Sequence, residues 1–522
     1  MTRIRIEKLW LWFPAAVILW RGMVSKVPLL DFWWHLKTGE VICRTRSIPR
    51  TDLFSFTAGG KPFVVQNWLA EASGYLAYRA GGLPLVVFLN ALLLVAVMWA
   101  VYSLCRESSG NLRLSAVVAV LASLTLPFNA RPQVFSFALI ALFYWILEGY
   151  RHRRRDLVWT LPPLMLLWVN LHGAFVVGLG LIALYLACES IRRLFVASAE
   201  DLISAARLRK LLSVLGVCIA ATFVNPETYR VYDYIRVVLS DGGSRRYVSE
   251  WQPPRVDTFE GVFLFYALFF LTLLTLLLSA RKPGITDVAL FLGFSVFAMS
   301  ALRNTTWFAI VAAPLWAKYL TFLPYETIDT RLASIPWLRC PRDWFLRQLH
   351  ADAPVHYRFN FLLVCMAVLI LVLSSPWVRP ASLGVNLWDS NTPVGAMDFM
   401  ERQGLEGRTF HPQIYGDYLI WRLWPRQRSF FDGRVHLFGE PFVREYQWVF
   451  YDSHWTGLLD SYRIRYLLLS KDPRQETSRT LAGKAQSSSE WTRIYEDDNS
   501  WLFERNRRFE IRDPQSSNLE LK

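Results

Sequence analysis

Asp31-Phe32-Trp33-Trp34-His35 sets a carboxylate and an imidazole four residues apart, on one face if the segment is helical. An acid so placed, with a second acid nearby, can take a proton from a hydroxyl, the work of a general base. The residues alone also fit a plainer reading: Asp31 caps a helix and His35 is a polar interfacial side chain. Further along, Asn67-Trp68-Leu69-Ala70-Glu71 offers an indole and another acid. Arg131 in Asn129-Ala130-Arg131-Pro132 and Arg303 in Ala301-Leu302-Arg303-Asn304 each supply a fork of donors suited to a lipid-linked phosphate, or to a headgroup or interspan salt bridge. Asn170 and His172 fall where two short apolar segments meet; they either line a pocket or hydrogen-bond between helices. Glu250 and Trp251, ahead of Pro253-Pro254, can hold a sugar by hydroxyl contacts and ring stacking, or simply pack a loop.

These residues need a scaffold, and composition says which. The chain has 522 residues, 53% hydrophobic and only 19% charged, with a net charge of +15. Soluble, disordered and disulfide-scaffold classes are excluded, because the apolar excess comes in blocks too long for globular helices. Reading for runs of roughly 17–25 residues, relaxed where helices break, gives about eleven spans. They cover 9–30, 83–104, 114–126, 134–149, 158–169, 174–187, 211–224, 262–280, 288–302, 305–323 and 359–374. With that number the clusters Arg3/Arg5/Lys8, Arg106/Arg113, Arg151–Arg155, Arg192/Arg193/Arg207–Lys210, Arg281/Lys282 and Arg331–Arg347 share one side, which should be cytoplasmic. The net charge is then topology and anionic lipid, and no nucleic-acid partner is expected. Arg131 and Arg303 lie opposite the bulk of the cations. Arg21 and Lys26 read as snorkelling side chains, and the N-terminal segment as a retained anchor.

The expected architecture is a polytopic α-helical membrane protein with a small C-terminal α/β soluble domain. Residues 1–377 form the membrane domain, with outer loops 31–82 and 225–261; residues 378–522 form an extracytoplasmic domain. Segments 32–43 and 66–80 read as amphipathic helices in the interface plane. In the tail, strand-like runs at 465–469, 491–495 and 501–503 alternate with helices near 394–403, 416–423 and 440–451. Asp432-Gly433-Arg434 follows strand-like Ser429-Phe430-Phe431, either as a ligand site at a strand end or as a turn held by its own ion pair. The last ten or so residues read as frayed. The six cysteines stand singly, with no disulfide or zinc spacing.

The segments DFWWHLKTGEVI, IPRTDLFSFT, NWLAEASGYLAYRAGG, RPQVFSF, WVNLHGAFVVG, GDYLIWRLWP and FFDGRVHLFGE resemble a bacterial subgroup of the GT-C superfamily of integral-membrane glycosyltransferases. That superfamily includes the protein O-mannosyltransferases and the lipid A aminoarabinose transferase. The resemblance implies a polyprenyl-phosphate sugar as donor and transfer to an acceptor glycan, lipid or protein outside the cytoplasmic (inner) membrane of a bacterium; the expected mechanism is inverting, and the cation clusters put the N-terminus in the cytoplasm. It puts the catalytic acid on Asp31 and the second loop acid on Asp52, with His35 orienting Asp31 or binding sugar. Asp31-Phe32-Trp33 stands in place of an Asp-x-Asp or Glu-x-Asp motif, so the resemblance points to metal-independent members, in which cations hold the phosphate; no cofactor is expected. Two other readings fit the composition: a non-catalytic membrane subunit of a glycan-assembly system, and a lipid-carrier transporter. The transporter calls for paired repeats and mid-membrane charges, which the spans lack apart from Arg21 and His172.

Overall fold

The computed structural model describes residues 6–195, 202–325, 330, 357–380, 385–451 and 455–509. The basic residues Arg3, Arg5, Arg331, Arg339, Arg342 and Arg347, Cys340 and the last ten residues lie outside the described residues.

Each apolar block of the sequence is helical. Helix α1 (Ile6–Val24) leads to α2 (Phe32–Thr45), then α3 (Trp68–Ser109), α4 (Leu112–Ser123), α5 (Gln133–Arg151), α6 (Leu161–Leu171), α7 (Phe175–Phe195) and α8 (Ala205–Ala221). After α9 (Arg230–Ser240) and α10 (Gly242–Tyr247), a π-helical stretch at Glu260–Tyr266 runs into α11 (Ala267–Leu278). Then follow α12 (Ile285–Ser300), α13 (Thr305–Leu320) and α14 (Tyr357–Leu373). Trp68–Ser109, Gln133–Arg151, Phe175–Phe195 and Glu260–Leu278 are long and apolar enough to cross a membrane. This is a multi-pass membrane protein.

Two interruptions matter for the site. Helix α3 bends at Gly81 and Gly82, and Gly82 takes φ 65°, ψ −164°, a state that glycine alone adopts freely. The bend separates the segment 68–80, which packs with α2, from the apolar stretch that follows. The second break, at His172–Ala174, parts α6 from α7.

The far end of the bundle, opposite the loops that carry Arg131 and Arg303, is tied by a buried charge knot. Arg151 reaches Asp287 at 2.5 Å, Glu189 at 3.0 Å and Glu148 at 3.3 Å, while Lys318 meets Asp287 at 2.6 Å. Tyr319 and Thr286 donate to the same acids, Asp287 and Glu189, at 2.7 Å each.

The tail is helices around a four-stranded sheet of order β1-β2-β4-β3, built from β1 (Arg408–Phe410), β2 (Ile464–Ser470), β3 (Trp491–Glu496) and β4 (Ser500–Arg505). Strand β1 runs parallel to β2, and the remaining pairs are antiparallel. The helices are α15 (Val394–Arg402), α16 (Gln413–Leu423), α17 (Val435–Phe438), α18 (Glu440–Tyr451), α19 (Trp455–Ser461) and α20 (Glu476–Ser487). Ser429-Phe430-Phe431, read as a strand, lies outside the sheet: Ser429 makes one isolated bridge, to Ser55, and β1 takes the parallel place beside β2. The reason is a long-range pairing, since the Ser429 amide donates to the Phe54 carbonyl and the Ser429 carbonyl accepts from the Phe56 amide, both in the loop between α2 and α3.

That loop and the tail share one hydrophobic core. Phe32, Trp33 and Leu36 of α2 pack with Tyr415, Tyr418 and Leu419 of α16, and Trp33 meets Tyr418 edge to face at 5.0 Å. Backbone bonds join Val27 to Leu387 and Asp389. The tail is therefore docked directly on the segment that carries Asp31.

Candidate active site

Asp31 precedes α2 but does not cap it: its side chain makes no capping bond, and its backbone stands at φ 69°, ψ −49°. The Phe32 amide donates back to the Leu30 carbonyl at 2.9 Å. Leu30-Asp31-Phe32 is thus a γ-turn of the rare positive-φ kind, a strained state for a residue with a Cβ. The carboxylate turns to Arg131, whose Nη2 lies 3.2 Å from Asp31 Oδ2.

Arg131 opens a row of alternating charges. Its Nη1 pairs with Glu250 Oε2 at 2.9 Å, and Glu250 Oε1 lies 3.6 Å from Arg303 Nη1. Arg303 also donates to Gln133 Oε1 at 3.3 Å and lies over the Trp251 ring at 4.5 Å. The two guanidiniums are not equivalent. Burial pulls the Arg131 group down, but Asp31 and Glu250 outweigh it and hold the group above its ordinary value. For Arg303 burial prevails: Glu250 offsets it only partly, Arg131 repels, and the group is held below its ordinary value. Arg131 meets two acids within 3.2 Å, whereas Arg303 meets one, at 3.6 Å.

Behind Asp31, His35 Nδ1 bonds Glu71 Oε1 at 2.7 Å, joining α2 to α3. Glu71 Oε2, the Trp34 indole nitrogen and Arg131 Nε are buried without a hydrogen-bond partner, and such atoms normally find one. His35, Glu71 and Arg131 line a cavity of about 480 Å³. Its other walls are mostly apolar, with Val86, Leu89, Leu92 and Leu93 of α3 and Phe135 of α5 among them, beside the polar Ser73 and Asn90. The cavity thus joins charged side chains, among them Arg131, the partner of Asp31, to a mostly apolar remainder.

His172 lies close enough to Arg303 and His35 to feel both charges. Its Nδ1 accepts from the Ala174 amide at 3.2 Å and meets Ser136 Oγ at 2.8 Å, which assigns the ring proton to Nε2. Asn170 is a brace: its Oδ1 accepts from Trp68 Nε1 at 2.9 Å and its Nδ2 donates to the Leu166 and Val224 carbonyls. Trp68 is held by the same bond.

Asp52, expected as the second acid of the site, is buried with both oxygens hydrogen-bonded. Arg434 Nη1 lies 2.6 Å from Oδ1, and the Ser55 hydroxyl donates to Oδ2 at 2.5 Å. Arg434 also forks onto Asp432, Nη2 to Oδ2 at 2.7 Å. Burial disfavours the Arg434 charge, but Asp432 and then Asp52 hold it above its ordinary value. The triad pins the first outer loop to the tail, so Asp52 has no free lone pair directed at a reacting group. Asp432-Gly433-Arg434 is the ion-paired turn.

Three residues near the site were not foreseen. Asp417 of α16 accepts the Asp31 amide on Oδ2 at 2.5 Å and the Gly433 amide on Oδ1 at 2.8 Å. Tyr234 of α9 is near enough to Glu71 and Arg303 to interact electrostatically with both. His436 packs edge to face on Tyr234 at 5.7 Å, with its Nε2 buried and unpartnered; burial, with Arg434 beside it, holds its imidazole down at about 4. The only sequence signals were an acid within an otherwise buried helix, and aromatic or imidazole residues beside outer-loop turns. Among the described residues, no three His, Cys, Asp or Glu side chains converge to hold a metal ion.

No protein-family model matches the chain, and no curated protein does. Solved structures do. The oligosaccharyltransferase AglB of Archaeoglobus fulgidus, in complex with an inhibitory peptide and a dolichol-phosphate, is 14% identical at TM-score 0.51; the match covers 97% of this chain and 75% of that one. The oligosaccharyltransferase of the same organism tethered with an acceptor peptide gives 13% identity and TM-score 0.53, over 95% and 74% of the two chains. The mycobacterial arabinofuranosyltransferase AftD gives 13% and 0.51, over 95% of this chain and 41% of that one. The chain has the GT-C fold of these membrane glycosyltransferases.

Proposed function

We propose that the protein transfers a sugar from a polyprenyl-phosphate donor to a hydroxyl of an acceptor at the extracytoplasmic face of a bacterial inner membrane, with inversion. One observation carries the reading: a cavity of about 480 Å³, mostly apolar but lined also by charged side chains, among them Arg131, the partner of Asp31. A lipid-linked sugar combines the same two polarities, and the volume lies in the range of small-molecule sites. The fold supports it, and the AglB structure is itself a complex with a dolichol-phosphate.

In the proposed chemistry the Asp31 carboxylate takes the proton of the acceptor hydroxyl as its oxygen attacks the anomeric carbon. The new carbon–oxygen bond forms as the bond to the phosphate breaks, through an oxocarbenium-like state, and attack from the opposite face inverts the centre. The departing polyprenyl phosphate carries the electron pair away. Arg303, facing one acid at 3.6 Å, receives it, and Arg131 aims Asp31. Glu71, Trp34 and His436 offer unpartnered atoms for sugar hydroxyls. Membranes holding the protein are to be incubated with radiolabelled polyprenyl-phosphate sugars. Label should leave the lipid with the native chain; full transfer by folded Asp31→Asn overturns the base assignment.

A further inference from the structure

A strained turn persists only where its surroundings over-determine it. The Asp31 γ-turn is held from the tail, through one buried carboxylate. Asp417 takes the Asp31 amide on one oxygen at 2.5 Å and the Gly433 amide on the other at 2.8 Å. Helix α16 can approach so closely because Gly416 faces the Phe431 carbonyl, where any Cβ would collide. Gly433 closes the other side: a Cβ there would stand 2.6 Å from Asp31 Oδ1 and 2.9 Å from Asp417 Oδ2. The Asp31 carboxylate therefore lies between Arg131 and the bare Cα of Gly433.

We infer that Asp417 and Gly433 are positioning residues of the C-terminal domain that fix the direction of the Asp31 carboxylate, so that the tail completes the active site of the membrane domain. Burial first, and then the neighbouring Asp432 and Asp31, push the Asp417 carboxyl well above its ordinary range. A proton held on it leaves lone pairs for both amides and adds no negative charge beside Asp31. The inference rests on the base role proposed for Asp31.

The test uses the full-length protein with a radiolabelled polyprenyl-phosphate sugar that the native chain turns over, and compares Asp417→Asn, Gly433→Ala and Asp31→Asn. Asparagine keeps the shape but turns an NH₂ group toward one of the two amides. Alanine at 433 meets the ends of two carboxylates and, less closely at 3.3 Å, the Trp34 indole nitrogen, all of them side-chain atoms, so the fold should survive while Asp31 is displaced. The expected result for both tail variants is kcat lower by roughly 10- to 100-fold, the scale of a small misplacement, with donor KM and Tm held. Native kcat in either folded variant overturns the inference, as does a KM effect without a kcat effect. Joint loss of folding and activity in both variants overturns it too, because the contact would then hold the fold and not the carboxylate. If Asp31→Asn transfers sugar normally, the underlying reading fails; if it is inactive while Asp417→Asn keeps native kcat, only this inference fails.

Discussion

Helices α5 and α13 have a cluster of ion pairs at each end, and the two clusters differ in how finished they are. At the far end Arg151, Glu148, Glu189, Asp287 and Lys318 project from helices, with side chains no more than 15% exposed. At the loop end Asp31, Arg131, Glu250 and Arg303 come from turns, with side chains 17–35% exposed. The second cluster has a strained turn, a half-buried arginine facing one acid at 3.6 Å, and a cavity beside it. Charge density is similar in both, so it does not mark a site. Incompleteness does: groups held ready, at a cost in stability, for a partner that folding does not supply.

Substitutions at the two ends should therefore separate rate from stability. Asp31→Asn should lower transfer by on the order of 10²–10⁴-fold, with the unfolding transition in detergent nearly unmoved; a large loss of stability would erase the distinction. Arg303→Ala should lower kcat by on the order of 10²–10³-fold, and Arg303→Lys should recover only part of this, since an ammonium replaces a fork with a point charge. Asp287→Asn leaves Arg151 and Lys318 short of a shared acid. Breaking a buried pair of this kind costs about 3–5 kcal/mol, to be read as a lower unfolding temperature with unchanged turnover per folded molecule. Asp52→Asn should do the same on a smaller scale, about 1–3 kcal/mol, because Arg434 keeps Asp432. A rate defect in folded Asp52→Asn would return that residue to the chemistry.

Much of this was legible from residues one at a time. Arg131 and Arg303 stood out as cations on the side expected to hold few of them, Asp31 as an acid just after an apolar run and Glu250 as an acid beside an aromatic and a rigid turn, and the structure puts all four in one row. Apolar run length gave the helices, including the break at His172. The pairings were not legible. Arg434 meets Asp52 across 382 residues and Asp31 meets Asp417 across 386, distances over which neither periodicity nor spacing carries information. The partner of Asp52 was likewise out of view, because an acid bound to a distant guanidinium reads in sequence like an acid awaiting a substrate. Ser429-Phe430-Phe431 was misread as a strand for a related reason: its apolar pattern serves docking on Phe54 and Phe56.

The docking of α16 on the Asp31 turn also bears on biogenesis. The carboxylate is synthesised hundreds of residues before its supports at positions 417 and 433. A growing chain should thus remain silent, threading its early segments into the lipid without consuming donor, until the tail has emerged and folded back. Truncation after the last apolar helix should leave a membrane protein that inserts but never switches on.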